Sequence, residues 1–314
     1  MAASEFELIY RYFAALGRGP GVRLGVGDDC ALLQVPTGEV LATSMDTLVA
    51  GVHFPADAFP EDIGFRAVAV AASDLAAVGA QQLGMTLALT LPEADELWVK
   101  TFSEGVAAAV SAFDLPLVGG DTTRGPLAIT VQVLGSVPEG AALLRSGARA
   151  GDRLCVSGTL GDAAAALLVL QGQWPGSDEA ADYLEQRYYR PSARLGLGRL
   201  LRDGASAAID ISDGLLADAG HIAAASGVRL VVDPERIPLS GALQAHPDRQ
   251  QALRWALTGG DDYELCFTLP PGAPLPPLCT CIGEVTAGEG VDCGLNLGLN
   301  LGLNLDQTGY RHFP

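Results

Sequence analysis

Aspartates set beside glycines and other small residues are the feature of this sequence most suited to chemistry. Nine of them stand in short motifs, most of which follow or precede apolar, strand-like runs: Asp28, Asp29, Asp46, Asp74, Asp121, Asp210, Asp213, Asp261 and Asp262. Small neighbours leave space beside a carboxylate and let the backbone approach a ligand closely. Converging carboxylates repel one another unless cations neutralise them, and Mg²⁺ suits hard oxygen ligands and bridges to phosphates. The pattern therefore predicts a magnesium site that handles phosphate groups.

Each motif taken singly also has an ordinary structural explanation. Gly-Asp turns cap helices and close hairpins, and Asp213 stands where it would cap a helix beginning near Leu215. Asp261 and Asp262 precede an apolar run and need no further role. The number of motifs and their common architecture, rather than any one of them, favours the metal site.

Three further features are weaker candidates. A single histidine such as His53 is more often structural than functional, and Arg145 lies in a connector where a solvated guanidinium is as plausible as a phosphate contact. The glycine-rich stretch at 158–162 opens a helix whose first amides could hold an anion, although an ordinary helix start explains it equally well.

Alternating strand-like and helix-like stretches must position these residues. The periodicity predicts helices at 5–16, 61–79, 93–113, 161–171, 192–203, 215–226 and 247–257, and strands at 39–45, 82–91, 115–119, 127–137, 152–157, 206–211, 228–233, 262–269 and 279–285. The stretch 138–151 has the character of a connector. We therefore expect two α/β or α+β domains, 1–138 and 139–314. Residues 294–305 repeat Gly-Leu-Asn-Leu three times, which predicts an expanded surface hairpin.

The charge composition excludes several classes of partner and enzyme. The 37 acidic residues outnumber the 19 basic ones, for a net charge of -18, which speaks against nucleic acid as a partner. Lys100 is the only lysine and has the context of neither a Walker A loop nor a protein-kinase strand lysine. Phosphate chemistry would therefore depend on metals, arginines and backbone amides. We find no basic leader and no long apolar segment, so we expect a cytoplasmic protein with no membrane partner.

Eight motifs, in order along nearly the whole chain, resemble those of the bacterial thiamine-monophosphate kinase family. They are GVGDDCALL at 25–33, DTLVAGVHF at 46–54, SDLAAVGA at 73–80, GGDTTRGP at 119–126, SGTLGD at 157–162, IDISDGL at 209–215, GGDDYEL at 259–265 and GYRHF at 309–313. The resemblance implies the two-domain aminoimidazole-ribonucleotide-synthetase-like fold. In that fold an N-terminal domain binds ATP and Mg²⁺ and pairs its sheet with that of a partner in a homodimer, and a C-terminal α/β domain follows.

The resemblance also implies a reaction and a set of site residues. The reaction is direct, in-line transfer of the γ-phosphoryl group of ATP to thiamine monophosphate, with Mg²⁺ and an undecided K⁺ requirement, as the last step toward thiamine diphosphate. By position, the implied metal ligands are Asp29, Ser44, Met45 (through its backbone carbonyl), Asp46, Asp74, Asp121, Asp210 and Asp213. The implied ATP contacts are Gly120, Asp121, Arg145 and Ser212, and the implied substrate contacts are His53, Asp261 and Tyr310. Among them, Asp46, Asp121 and Arg145 are expected to be catalytic.

One departure and two alternatives accompany this expectation. The family usually has Glu where this chain has Asp261, so the implied contact is one methylene shorter. A different ATP-dependent synthetase of the same superfamily would share the fold and the metal site. A non-catalytic protein that binds nucleotide or metal would keep the residues without turnover.

Overall fold

The computed structural model describes residues 5–294, which divide into two compact units. Among the described residues, one unit comprises 5–75 with 80–142, and the other comprises 76–79 with 143–294. Both units mix helices with a sheet, which confirms the predicted α/β class. Within residues 5–294, none of the helices has both the length and the apolar character that a membrane crossing requires.

The N-terminal unit is a four-stranded sheet with helices. Its elements are α1 (Glu5–Tyr12), β1 (Val22–Leu24), β2 (Leu32–Leu33), β3 (Glu39–Val49), α2 (Pro60–Ala77, of which the last two residues belong to the other unit), β4 (Gln81–Leu91), α3 (Glu96–Phe113), β5 (Leu117–Arg124) and β6 (Ala128–Pro138). The strand order is β3-β6-β4-β5, in which only β4 and β5 run parallel. Strands β3 and β5 are therefore the two edges of this sheet.

Local sequence explains the two long helices of this unit. Asp95 caps α3 by accepting the backbone N–H groups of Leu97 and Trp98, and the helix ends where Asp114 turns left-handed at φ 49°. Helix α2 is almost fully buried over 67–72, where every side chain is Ala or Val. Its burial fixes which way Asp74, two residues beyond that run, can face.

The C-terminal unit is a six-stranded sheet with helices. Its elements are β7 (Arg153–Ser157), α4 (Asp162–Leu170), α5 (Asp178–Tyr189), α6 (Leu195–Leu201), β8 (Ala207–Asp210), α7 (Leu215–Ser226), β9 (Arg229–Val232), α8 (Gly241–Gln244), α9 (Arg249–Thr258), β10 (Leu265–Leu269), β11 (Cys279–Thr286) and β12 (Gly290–Asp292). The strand order is β12-β9-β11-β7-β10-β8, antiparallel except for β12 beside β9. The end of β8 and the segment before β10 carry four of the predicted site residues of this unit, namely Asp210, Ser212, Asp213 and Asp261.

The structure corrects several predicted boundaries. Helices α5 and α8 and the short strands β1, β2 and β12 were not predicted, and the first helix ends at Tyr12, with only a 3-10 turn at Ala14–Leu16. Strand β10 begins at Leu265 rather than 262, which leaves Asp261 and Asp262 in an irregular segment. Almost all of the Gly-Leu-Asn-Leu repeat lies outside the described residues, so its predicted hairpin stays a prediction.

Candidate functional site

A cleft of about 580 Å³ in the N-terminal unit collects three of the predicted site residues. Asp29, Gly120 and Asp121 line it, together with the neighbouring Asp28. The opposite wall is apolar and comes from α1 and the residue that follows it: Phe6, Ile9, Tyr10 and Phe13. An apolar wall that faces convergent polar groups is the usual composition of a small-ligand site.

Asp121 reaches this cleft from inside a strand. We expected a glycine-bounded turn there, but β5 continues through Asp121 to Arg124 and pairs in parallel with β4, with Asp121 opposite Ala88. The turn prediction was wrong because the β-branched Thr122 and Thr123 follow the glycines and extend the pairing. The same correction applies to Asp46, because β3 continues to Val49 instead of ending before Asp46.

Gly120 has a structural reason to be glycine. It lies opposite Leu87 on β4, and a Cβ at this position would overlap the Leu87 carbonyl oxygen. At the adjacent Gly119, a Cβ would meet only the Thr86 Cγ2 atom, at an ordinary 3.7 Å. The close approach of β5 to β4 at this point therefore requires glycine at position 120.

This difference between the two glycines gives a first prediction. We expect Gly120→Ala to lower the free energy of unfolding by about 1–3 kcal/mol, because the overlap can be relieved only by moving β5 away from β4. Gly119→Ala is the matched control and is expected to leave the melting temperature unchanged. Calorimetry of the two variants checks this, and equal melting temperatures would contradict the overlap.

Ser44, Asp46 and Asp74 form the second group of predicted residues in this unit. Ser44 and Asp46 are two positions apart on β3 and therefore share a face of the sheet, and the Ser44 Oγ donates to Asp74 Oδ2 at 2.5 Å. Burial, and to a smaller extent the negative charge of Asp74, raises the pKa of Asp46 to about 6. The two carboxylates are thus close enough to repel, which is the condition that a bound cation relieves.

Met45 and His53 occupy positions near this group along β3 and in the turn that follows it. The Met45 side chain is 58% exposed and lies on the face opposite Ser44 and Asp46, so only its backbone is available to their site. The His53 Nδ1 accepts the backbone N–H of Val49 at 3.0 Å, which fixes the ring and leaves the proton on Nε2.

A preformed metal cage is absent from the part of the chain that the structure describes: across residues 5–294, no three His, Cys, Asp or Glu side chains are arranged to hold a metal ion. The donor set nevertheless suits Mg²⁺, which keeps several waters and binds through one or two carboxylates together with substrate phosphates. Asp46 with Asp74, and Asp29 with Asp121 in the cleft, are pairs of this kind.

In the C-terminal unit, Asp210, Ser212 and Asp213 lie where β8 meets α7. Asp210 ends the strand and is 6% exposed, and Ser212 and Asp213 are half-buried in the following loop. Asp213 is not the helix cap that we considered, because Gly214 holds that position and no side chain caps the helix there. The capping explanation for Asp213 is therefore wrong.

Asp218 is a residue of this loop that the sequence reading missed. Its Oδ2 accepts the backbone N–H groups of Ser212, Asp213 and Gly214 at 3.0, 3.1 and 3.1 Å. Burial raises the pKa of Asp218 to about 6, against the lowering effect of these three amide donors. A carboxylate in the first helical turn was the signal that could have revealed its role.

The segment that carries Asp261 alternates between outward and buried side chains. Asp261 and Tyr263 are half-buried, whereas Asp262 and Glu264 are 1% and 0% exposed. The Asp262 Oδ2 accepts the N–H of Gly161 at 2.7 Å. A carboxylate of the protein itself therefore binds one of the amides at 158–162 that we considered for an external anion. Burial raises the pKa of Asp262 well above its usual value. Asp262, one of the nine motif aspartates but not one of the implied metal ligands, is therefore a structural residue.

Glu264 lies at the centre of a buried ionic cluster. Arg194 donates to both of its carboxylate oxygens, from Nε at 2.6 Å and from Nη2 at 2.5 Å. Arg187 Nη2 donates at 3.0 Å and Ser157 Oγ at 2.5 Å, so four donors converge on one carboxylate. No motif of the sequence predicted this cluster.

The remaining predicted residues are placed separately. Arg145 is exposed, and its backbone carbonyl accepts the Ser226 hydroxyl at 3.1 Å, which ties the connector to the end of α7. Tyr310 lies outside the described residues. The structure thus brings together two groups in the N-terminal unit: Asp29 with Gly120 and Asp121, and Ser44 with Asp46 and Asp74. In the C-terminal unit, the N–H of Asp261 donates to the Ser212 carbonyl at 2.8 Å, which joins Asp261 to the loop after β8.

Two family models match most of the chain. The AIR synthase related protein, N-terminal domain, matches residues 27–137, and the AIR synthase related protein, C-terminal domain, matches residues 149–295. They confirm the fold that the motif resemblance implied.

Individual proteins resemble the chain over nearly its full length. The thiamine-monophosphate kinase of Salmonella typhimurium is 49% identical over 329 positions, covering 100% of this chain and 99% of that protein. The crystal structure of thiamine-monophosphate kinase from Stenotrophomonas maltophilia is 46% identical with a TM-score of 0.85, covering 94% of this chain and 98% of that one. The structure of AaThiL complexed with AMPPCP and TMP is 34% identical with a TM-score of 0.81, covering 98% and 97% of the two chains.

Proposed function

The chain belongs to the thiamine-monophosphate kinases of the AIR synthase related family, and we propose that it uses ATP to convert thiamine monophosphate to thiamine diphosphate. The identity of 49% that extends over 99% of one such kinase carries this proposal. The solved relative that binds AMPPCP and TMP supports ATP as the co-substrate and thiamine monophosphate as the acceptor. The reaction would complete the synthesis of thiamine diphosphate.

The proposed chemistry is positioning combined with charge stabilisation. An oxygen of the substrate phosphate attacks the γ-phosphorus of ATP in line, and ADP leaves. Since the acceptor oxygen is already anionic, no strong general base is required. Gly120 is the proposed backbone contact to the nucleotide, and Arg145 is proposed to neutralise charge on the transferring group. Ser212 is proposed as a further ATP contact.

The proposal assigns Mg²⁺ to the carboxylate groups described above. Bound Mg²⁺ would spread the charge that develops on the transferring phosphoryl group. The proposed Mg²⁺ ligands of the N-terminal unit are Asp29, Ser44, Met45 by its carbonyl, Asp46, Asp74 and Asp121, and those of the C-terminal unit are Asp210 and Asp213. The single lysine of the chain agrees with phosphate chemistry that depends on metal ions. A K⁺ requirement stays open.

His53, Asp261 and Tyr310 are the proposed contacts to thiamine monophosphate. As an anion, the Asp261 carboxylate is suited to the aminopyrimidine and thiazolium parts of the substrate and not to its phosphate. We place this reaction in the cytoplasm, where the ATP that it consumes is held.

The proposed assembly is a homodimer formed through the N-terminal sheet. Strand β3 is an edge of that sheet, and its exposed apolar side chains include Leu41 at 52% and Met45 at 58% on one face. A long edge strand with apolar side chains is a site for pairing with another chain. Analytical ultracentrifugation of the purified protein measures this state directly.

ADP release in the presence and absence of thiamine monophosphate tests the proposed function. We expect ADP to form only when ATP, Mg²⁺ and thiamine monophosphate are all present, with thiamine diphosphate as the second product by chromatography. Chelation with EDTA should abolish turnover, and excess Mg²⁺ should restore it. ADP formation that does not depend on thiamine monophosphate would favour another synthetase of the superfamily. Nucleotide binding without turnover would indicate a non-catalytic member.

A further inference from the structure

The segment Gly259 to Glu264 contains two residues in an unusual backbone conformation. Asp261 has φ 70° and Tyr263 has φ 50°, in the left-handed region. Aspartate tolerates this region better than most residues, but a bulky tyrosine seldom adopts it. A conformation of this kind persists only where the surroundings enforce it, and such positions concentrate at functional sites.

Neighbouring strands and loops enforce this backbone from both ends. The N–H of Asp261 donates to the Ser212 carbonyl and the N–H of Tyr263 to the Ile211 carbonyl, each at 2.8 Å. At the next residue, the buried Glu264 carboxylate is held by Arg194, Arg187 and Ser157. Both outward side chains therefore start from a fixed backbone.

The two outward side chains bond to each other. The Tyr263 hydroxyl donates to Asp261 Oδ1 at 3.0 Å, across two residues of the same strained segment. A hydrogen bond from a neutral donor to a carboxylate is stronger than one between neutral groups, and it restricts the rotation of the carboxylate plane. Of these two bonded residues, only Asp261 is an implied substrate contact.

We propose that Tyr263 is a positioning residue for substrate recognition, whose hydroxyl orients the Asp261 carboxylate toward the cationic, donor-bearing part of thiamine monophosphate. This role rests on the proposed function, in which Asp261 contacts that substrate. The strained backbone and the Glu264 cluster hold the tyrosine in place, and the tyrosine in turn limits the carboxylate to one orientation.

Tyr263→Phe tests the proposal, since it keeps the ring and the Cβ and removes only the hydroxyl. We expect the KM for thiamine monophosphate, and its dissociation constant by calorimetry without ATP, to rise about 10-fold. The kcat and the KM for ATP should change less than about 2-fold, and the melting temperature should stay the same. Tyr183→Phe is the matched control, because it also removes a tyrosine hydroxyl that donates to an aspartate, in this case to Asp162 Oδ2 at 3.1 Å. This control should leave both KM values unchanged.

A double-mutant cycle with Asp261→Asn completes the test. If Tyr263 acts through Asp261, adding Tyr263→Phe to Asp261→Asn should change the KM for thiamine monophosphate little further. An unchanged KM in the single variant, or an equal increase in the Asp261→Asn background, would overturn the positioning role while leaving the kinase proposal intact. Absence of thiamine monophosphate turnover and binding in the unmodified protein would overturn both.

Discussion

Replacing Asp46 by asparagine is expected to reduce kcat by roughly 10³-fold at saturating Mg²⁺, because charge stabilisation of a transferring phosphoryl group is worth at least that much. Asparagine keeps the size of the side chain and one oxygen acceptor but loses the negative charge. The variant should still bind ATP, with a weakened Mg²⁺ dependence of binding. Steady-state ADP release across a range of Mg²⁺ concentrations measures both effects.

We do not expect Asp46→Asn to lower the stability of the fold. Asp46 and Asp74 are both acidic side chains in a partly buried place, and the charge of Asp74 together with burial raises the pKa of Asp46 to about 6. Removing one of two repelling carboxylates relieves a cost that the metal-free protein carries. We therefore expect the melting temperature of the metal-free variant to equal or exceed that of the unmodified protein.

Asp114→Asn is the matched control for Asp46→Asn. Asp114 is an exposed residue of the same unit that ends α3 in the left-handed region, which asparagine adopts as readily as aspartate. It removes the same charge away from the carboxylate groups, so its kcat should be unchanged. Near-normal turnover of Asp46→Asn at saturating Mg²⁺, or an equal loss in both variants, would remove Asp46 from the metal site.

The position of Asp46 and Asp121 shows what could be predicted from sequence in this unit. The alternation of apolar runs predicted the strands that carry both residues, and the small residues around them indicated a ligand. Their location inside β3 and β5, rather than in turns beyond them, depends on pairing with β6 and β4. Partner strands distant in sequence determine where a strand ends, so local spacing could not predict it.

The C-terminal unit shows a second limit. Asp261 and Asp262 are adjacent residues of the same type. In the structure, however, Asp261 is only half-buried, whereas Asp262 is buried and accepts the N–H of Gly161. Helix α5 went unpredicted although Ser177 caps it, because its composition is mainly polar and lacks a continuous apolar stripe. That helix carries Arg187 to Glu264, so missing the helix meant missing the cluster.

Replacing Glu264 by glutamine is expected to lower the free energy of unfolding by about 3–5 kcal/mol, because it removes one partner from a buried ionic cluster. Glu264 is 0% exposed and receives two bonds from Arg194 and one each from Arg187 and Ser157. Glutamine supplies one acceptor but places an NH₂ group against guanidinium donors. For a unit of this size, the melting temperature should fall by roughly 10 °C.

The charge balance of the cluster explains why the loss should be large. The two guanidinium groups of Arg187 and Arg194 face the carboxylates of Glu264 and Asp162, and Arg187 Nε lies 3.5 Å from Asp162 Oδ2. Burial raises the pKa of the neighbouring Asp262 well above its usual value, so Glu264 is the main partner of both guanidinium groups. Without Glu264, the partly buried guanidinium groups of Arg187 and Arg194 would lose the carboxylate that they share.

Glu235→Gln is the control that separates burial from charge. Glu235 Oε2 accepts a bond from Arg249 Nη2 at 3.0 Å in the same unit, but both side chains are about 60% exposed. Water already solvates that pair, so its loss should leave the melting temperature within experimental error. Differential scanning calorimetry of the full chain compares the two variants in the transition of the C-terminal unit. If Glu264→Gln melted at the same temperature as Glu235→Gln, the cluster would not be what holds the Asp261 segment in place, and the strain at Tyr263 would require another support.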